Sequence, residues 1–333
     1  MKILFIGDMH LRITRFDLAT QFLKWITATI QDIRPDIVVN LGDTLDTHSV
    51  VRSEILAIFI EHLDFVKTLE IPYYHLLGNH EFNKPNDNRY HALLSLKNRD
   101  LYTVVDKRID IDNLTLLPHY PDHKKFPLDT REICIAHQTF VGADYGYIRP
   151  EVGVLAEDVA ANLIISGHVH LRQEFGKVIY PGSPYSQSIS DIDQVKGVLL
   201  FDTNTYEKKF LECPLPMWRK LTYEIGPDIN IDTIHSDILI KTNNKHHWTA
   251  CITGPKVEVL SYVESNNLTL LRKTVDITIK PTFSDSEKKL TKIKASSMEK
   301  IMQEYVDNVY NGSIDKNTLK AKVVEIIEQV NNL

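Results

Sequence analysis

Gly78-Asn79-His80-Glu81 follows the apolar and aromatic run Pro72-Tyr73-Tyr74-His75-Leu76-Leu77 and precedes Asn83, Pro85, Asn86 and Asp87. The run has strand composition, and the residues after the tetrad have loop chemistry. A carboxamide, an imidazole and a carboxylate therefore sit together at the C-terminal end of a strand, the edge where open α/β sheets build their sites. Four other stretches repeat the design. Ile3-Leu4-Phe5-Ile6 leads into Gly7-Asp8-Met9-His10, and Ile37-Val38-Val39-Asn40-Leu41 leads into Gly42-Asp43. Ile133-Cys134-Ile135-Ala136 leads into His137, and Leu163-Ile164-Ile165-Ser166 leads into Gly167-His168-Val169-His170.

Between these strands the apolar positions follow a helical period, which gives residues 1 to about 200 the alternating rhythm of an α/β domain. Leu18, Phe22, Trp25, Ile26 and Ile30 form one stripe within Phe16 to Asp32. Ile55, Ile58, Phe59, Leu63, Val66 and Leu69 form another within Ser53 to Glu70, and Arg89 to Leu96 predicts a third, short helix. Core packing is the ordinary reading of such stripes. Tyr102 to Pro118 predicts two short strands around Asp110–Asn113, and Val178 to Leu211 a β-meander closing the first domain. Composition shifts after Pro214-Leu215-Pro216. Lys220–Ile225, Asp237–Lys241, Trp248–Thr253 and Val275–Lys280 then read as strands, with a helix near Pro255–Ser265, a small α+β unit. Beyond a lysine-rich stretch, Ser297–Val309 and Thr318–Val330 read as two amphipathic helices. The expected domains are 1–214, 215–281 and 282–333.

The 333 residues, 43% hydrophobic and 25% charged, are enough for a sizeable core. No apolar run approaches the roughly 20 residues of a membrane span. Met1-Lys2-Ile3-Leu4-Phe5 runs straight into a motif, unlike a removable signal peptide. Cys134, Cys213 and Cys251 are odd in number and lack CxxC spacing, which suits free thiols in a reducing cytoplasm. A net charge of −6 is unusual for a nucleic-acid binder. Bound divalent cations or a basic partner subunit would supply the missing positive field.

Asp8, His10, Asp43, Asn79, His137, His168 and His170 offer two carboxylates, four imidazoles and one carboxamide, without thiolates. Such mixed oxygen and nitrogen ligation suits Mn, Fe, Zn or Co in a reactive site rather than a structural zinc. Asp8 and His10, like His168 and His170, stand two apart, so that in extended chain both members point to one side. One bridging carboxylate would make a two-metal site able to activate water and stabilise both oxygens of a phosphoryl transfer. His80, beside a ligand, is placed to give a proton to the leaving alkoxide, with a ligand role left open. The remaining histidines, His62, His75, His91 and His119 among them, are expected to be surface or core residues.

The ordered set Asp8-Met9-His10, Gly42-Asp43, Gly78-Asn79-His80-Glu81, His137 and Gly167-His168-Val169-His170 resembles the calcineurin-like metallophosphoesterase superfamily. Serine/threonine phosphatases of that superfamily follow the second motif with Asp-Arg-Gly, whereas this chain has Asp43-Thr44-Leu45-Asp46-Thr47. Asp8-Met9-His10-Leu11, the turn Tyr180-Pro181-Gly182-Ser183-Pro184, the small unit after it and the helical tail look like the Mre11/SbcD DNA-repair nucleases. Chain length and tail look most like their phage members, similar to the T4 gene 47 product. The resemblance implies a four-layer β-sandwich flanked by helices, then a small α+β capping domain and a C-terminal helical tail. It implies an exo- and endonuclease on DNA, two divalent ions, Mn²⁺ foremost with Mg²⁺, Fe²⁺ or Zn²⁺ as alternatives, and a homodimer. The partner it implies is a Rad50/SbcC-like coiled-coil ATPase held by the C-terminal helices. Asp8, His10, Asp43 and His170 would hold one metal, and Asp43, Asn79, His137 and His168 the other, with His80 serving the transition state. Phe59, Leu63 and Leu93 are expected to include dimer-interface residues, with the chain's own core as the competing reading. Two departures stand out. Glu81 replaces a common aspartate, and Asp46 stands where cellular members have histidine. A phosphatase or cyclic-nucleotide phosphodiesterase is the alternative enzyme class.

Overall fold

The computed structural model describes residues 1–46, 50–82, 90–146, 148–226, 229–284, 315–319 and 322. Its main body is two six-stranded sheets packed face to face. The first holds β1 (Lys2–Ile6), β2 (Ile37–Asn40), β3 (Tyr73–Leu76) and β4 (Tyr102–Val105) in parallel. The second holds β5 (Ile109–Ile111), β6 (Leu114–Leu116), β7 (Ile133–His137), β8 (Leu163–Gly167), β9 (Gln173–Phe175) and β10 (Val178–Tyr180). The chain then returns to the first sheet, where β11 (Gly197–Asp202) lies antiparallel to β1 and β12 (Lys208–Glu212) completes the edge. The expected β-meander over Val178–Leu211 is therefore split, β10 pairing with β8 and β11 with β1.

β1 and β2 are continuous apolar runs because both of their faces are covered. Inward-facing Ile3, Phe5, Val39 and Leu76 meet Leu116, Ile135, Ile165 and Ile179 of the other sheet. The opposite face of the first sheet carries α1 (Phe16–Ile33) and α2 (Ser53–Thr68). α1 stops where Arg34 turns left-handed (φ 52°) and its N–H donates to the Ile30 carbonyl. The outer face of the second sheet is covered by loops and single-turn helices carrying Phe126, Phe140, Val154 and Val159.

Phe59 and Leu93 are fully buried and Leu63 is nearly so, all in the core under α2. They serve the chain's own packing, each worth about 1.5–3 kcal/mol, so the expectation that they form a dimer surface is corrected. The helix expected over Arg89–Leu96 is, among the described residues, one 3₁₀ turn at Leu94–Leu96.

Past Pro216 a three-stranded parallel sheet, β13 (Trp218–Glu224), β14 (His247–Gly254) and β15 (Ile277–Phe283), has helices between its strands and a core of its own. Asp237–Lys241, expected as strand, is the end of α3 (Ile231–Lys241). Asn230 caps that helix by accepting from the Thr233 N–H, and Ile234 and Ile238 face the core one turn apart. α4 (Lys256–Val263) and α5 (Asn266–Leu271) fill the second crossover. The expected tail helices, and with them the sequence features assigned to an ATPase partner, lie outside the described residues except at 315–319 and 322. No described helix is long and apolar enough to cross a membrane.

Candidate active site

The exits of β1, β2, β3, β7 and β8 converge, bringing all eight residues singled out from the sequence into one cluster. Close backbone approach makes this possible. A Cβ on Gly42 (φ +103°) would lie 2.5 Å from His137 Nδ1, and one on Gly78 would lie 2.2 Å from Asp43 Oδ1. His10 (φ 42°), Asp43 (φ 49°) and His168 (φ 84°) adopt left-handed backbone conformations that cost energy in residues with side chains. Such strain is sustained because the surroundings fix it.

The donor atoms face one another. His10 Nε2 lies 3.0 Å from His170 Nε2, and Asn79 Oδ1 lies 2.7 Å from His168 Nδ1 and 3.1 Å from His137 Nε2. Asp43 stands between the two groups, its Oδ2 3.3 Å from His137 Nε2 and 3.8 Å from His10 Nε2. Its Oδ1 accepts from the His80 N–H at 2.8 Å. Asp8 Oδ1 accepts from the His168 N–H at 2.8 Å, while Asp8 Oδ2 and His10 Nδ1 are buried without a hydrogen-bond partner. Buried polar atoms are ordinarily satisfied. Facing ring nitrogens and an orphaned carboxylate oxygen together fit a site that takes up cations. Asp8, His10 and His170 form one tight donor group, and Asp8, Asp43 and His137 another.

Burial holds His10 and His168 at pKa values of about 3, so both rings are neutral and offer lone pairs. Burial acts the same way on His137, but Asp43 and Asp8 outweigh it and raise the ring to about 9. Burial raises Asp8. Asp43 is held well below the usual carboxylate range because the adjacent His137 outweighs its burial. His137 Nδ1 donates to the Leu41 carbonyl at 2.7 Å, which aims Nε2 at Asp43 and Asn79.

Glu81 touches none of the ring nitrogens. Its buried carboxylate accepts from the N–H groups of Asp43 (2.9 Å), Thr44 (2.7 Å), Leu45 (3.2 Å) and Gly78 (2.9 Å). It clamps the second motif to the third, an arrangement in which its extra methylene is used for reach. On the other side, the Met9 carbonyl accepts from Tyr185 Oη and Gln187 Nε2. The His170 carbonyl accepts from Lys196 Nζ at 2.8 Å, and that buried ammonium also pairs with Asp191 at 2.8 Å. A cleft of about 240 Å³ lined by Tyr145, His168, His170, Ser190, Asp191 and Gln194 opens beside the cluster.

Sequence reasoning missed His119. Its ring stacks on His168 at 5.6 Å between centroids and stands edge-on to His137, and Nδ1 donates to the His137 carbonyl at 3.1 Å. It joins His137 and His168 in a further donor group, as His80 joins His10 and Asp43. The signal was present: Leu114-Thr115-Leu116-Leu117 leads into Pro118-His119, the strand-exit pattern used for the other motifs.

A two-sheet β-sandwich whose strand ends gather carboxylates, a carboxamide and imidazoles defines a metal-dependent phosphoesterase. The chain belongs to the calcineurin-like phosphoesterase family, which its residues 1–172 match. It is 30% identical over 284 residues to 244L of Invertebrate iridescent virus 6, covering 80% of this chain and 98% of that protein. It is also 30% identical over 203 residues to 078R of Invertebrate iridescent virus 3, covering 55% and 57%. Both viral proteins are provisionally named phosphoesterases. Exonuclease subunit 1 of Enterobacteria phage T4 is similar at 22% identity, covering 93% of each chain. The family uses divalent metals and hydrolyses phosphate esters, so the chain is a hydrolase with candidate metal-binding clusters.

Proposed function

We propose that this chain is a two-metal nuclease subunit that hydrolyses DNA phosphodiester bonds in recombination, repair or DNA degradation. The observation that carries the reading is the convergence of Asp8, His10, Asp43, Asn79, His137, His168 and His170 at the strand ends of the two packed sheets, with Asp43 between two donor groups. The similarity to a phage exonuclease subunit over nearly the whole chain supports DNA as substrate and a multi-subunit assembly.

In this reading Asp8, His10, Asp43 and His170 hold one ion and Asp43, Asn79, His137 and His168 the other, with Mn²⁺ as the preferred metal. When bound, the pair supplies a nucleophilic hydroxide at neutral pH and charge stabilisation for the transferred phosphoryl group. The protein's own share is positioning and proton transfer. Glu81 fixes the loops that carry Asp43, Asn79 and His80. His80 Nδ1 donates to the Asp46 carbonyl at 2.9 Å, so Nε2 is the atom that passes a proton to the leaving oxygen. Residues 1–214 form the nuclease unit, 215–281 a cap over DNA, and 282–333 a linker and tail that binds a Rad50/SbcC-like ATPase in the host cytoplasm. The nuclease works as a homodimer through surfaces other than Phe59, Leu63 and Leu93.

The test is hydrolysis by the purified full chain, with Mn²⁺, of linear duplex DNA, a phosphopeptide and a cyclic nucleotide. Degradation of DNA at least tenfold faster than the other two, abolished by chelator, is the expected result. A preference for phosphopeptide or cyclic nucleotide would replace the nuclease reading with the alternative enzyme class.

A further inference from the structure

On the His10 side of the candidate centre a second cavity, of about 310 Å³, lies between the segment after β1 and the start of α2. Its floor is aliphatic, with Leu11, Leu45 and Ile55 buried, and its rim carries exposed Ile13, Val50 and Val51. Three charged side chains line it: Arg12, Asp46 and Arg52. The volume lies within the range of small-ligand sites, and an apolar body with a few placed charges is their usual composition.

The charges tie this cavity to the catalytic cluster. The carboxylate of Asp46 lies 3.8 Å from His10 Nδ1 and 3.9 Å from Arg12 Nη1, while its backbone carbonyl takes the proton of His80 Nδ1. Arg12 is anchored rather than loose, since Nη2 donates to the Gln187 carbonyl at 2.8 Å and Nε is buried without a partner. Arg15 Nη1 donates to the neighbouring Ser186 carbonyl at 3.3 Å, which sets two guanidinium groups side by side. Arg52, exposed at the start of α2, makes no ion pair among the described residues. Asp46 thus pairs with Arg12, while Arg52 lies near Glu54 and Arg15 near Asp191, so guanidinium groups gather around this cavity in a protein whose net charge is −6. Guanidinium forks match phosphate oxygens, and an aliphatic floor accepts the face of a base or sugar.

We propose that this cavity receives the nucleotide next to the scissile phosphodiester, with Arg12 and Arg52 on its outer phosphate and Leu11, Leu45 and Ile55 beneath its base and sugar. The proposal rests on the nucleic-acid reading above and sharpens it. A phosphomonoester or a small diester ends at the metal centre, whereas a nucleic-acid strand continues into the cavity. Asp46 is then the residue that holds Arg12 in place while keeping its carboxylate beside His10.

The experiment compares wild type, Arg52→Ala and Arg12→Ala on two substrates, a short single-stranded oligonucleotide and bis(p-nitrophenyl) phosphate, with Mn²⁺. Binding of a fluorescein-labelled oligonucleotide is followed by anisotropy with Ca²⁺ in place of Mn²⁺ across a salt series. Each substitution is expected to lower the oligonucleotide-to-small-diester ratio of kcat/KM about tenfold. It should also reduce the salt dependence of binding by roughly 0.7 in log–log slope, the share of one phosphate contact. Arg52 is exposed, so its truncation leaves the fold in place if Arg12→Ala does not. An unchanged ratio and salt slope in Arg52→Ala would overturn the cavity proposal while leaving the nuclease intact. A wild-type protein that cleaves the small diester but neither binds nor cleaves the oligonucleotide would overturn the nucleic-acid reading itself.

Discussion

Apart from His91, the buried histidines among the described residues fall into two groups, and burial alone does not separate them. His10 and His168 at the strand ends, His62 on α2 and His75 on β3 are all kept neutral by desolvation, with pKa values of about 3 to 4. Their partners separate them. His75 places Nε2 2.8 Å from Thr44 Oγ1 and Nδ1 2.6 Å from Tyr102 Oη. His62 Nδ1 lies 2.7 Å from Thr27 Oγ1, and its ring stacks on Phe59 and stands edge-on to Tyr73. Hydroxyls and aromatic faces suit a neutral ring, and the nitrogen left over, His62 Nε2, is buried away from the carboxylates and imidazoles of the other group and has no hydrogen-bond partner. At the sheet edge the ring nitrogens instead face other ring nitrogens, a carboxamide and carboxylates, an arrangement that calls for a shared cation. A buried histidine is thus identified as functional by what its nitrogens face.

The sharpest way to break this distinction is at Asp43, the group between the two donor sets. Asp43→Ala should lose bound metal and all hydrolysis together. His80→Ala should keep its metal, counted by calorimetry, and lose turnover by roughly 10²–10⁴-fold, the range of a general acid. Equal metal loss in both variants would show that His80 is a ligand and that the division between holding and proton transfer is mistaken.

A smaller effect is expected at His119, which touches His137 and His168 from outside the sequence-derived set. Groups that orient ligating histidines are worth about 10–100-fold in metal affinity or activity. His119→Ala should fall in that range by Mn²⁺ titration, with His119→Gln, which can still donate to the His137 carbonyl, recovering part of it. Loss of activity with unchanged Mn²⁺ affinity would place His119 with the substrate instead.

The sheet edge was legible because its chemistry follows a simple rule of sequence, an apolar strand followed at once by a polar residue. His119 departs from that rule by one residue, because Pro118 separates it from its strand, and so reads as an ordinary surface or core histidine. Glu81 was visible as a departure from a familiar motif, but three of its four N–H donors, Asp43, Thr44 and Leu45, come from a distant turn that no spacing reveals. Lys196 is likewise placed by long-range folding against the His170 carbonyl. The end of α3 reads as strand because Ile238-Leu239-Ile240 is continuously apolar. The cap at Asn230 and the spacing of Ile234 and Ile238 carried the helical signal, while Leu239 and Ile240 are exposed. The strands of Val178–Leu211 divide between two sheets, a matter of topology that local hairpin-like pattern does not carry.

The smallest effect tests the other half of the distinction, that His62 belongs to the core. Its ordinary pKa of 6.5 falls to about 4 through burial. The unfolded chain therefore takes up a proton on this residue as pH drops below 6.5, while the folded chain resists until about 4. In that window the unfolded state binds more protons, so this residue makes stability fall as pH falls, by up to about 1.4 kcal/mol per pH unit. Below 4 both states are protonated and its contribution is flat. His62→Gln, with an amide still able to reach Thr27, should retain Mn²⁺-dependent hydrolysis close to wild type at neutral pH. Its urea-unfolding free energy should decline less steeply between pH 6.5 and 4 than that of wild type, by close to one proton's worth of slope. Parallel pH profiles would mean that His62 is not buried neutral, and a collapse of metal binding would mean that the two histidine groups are not separate.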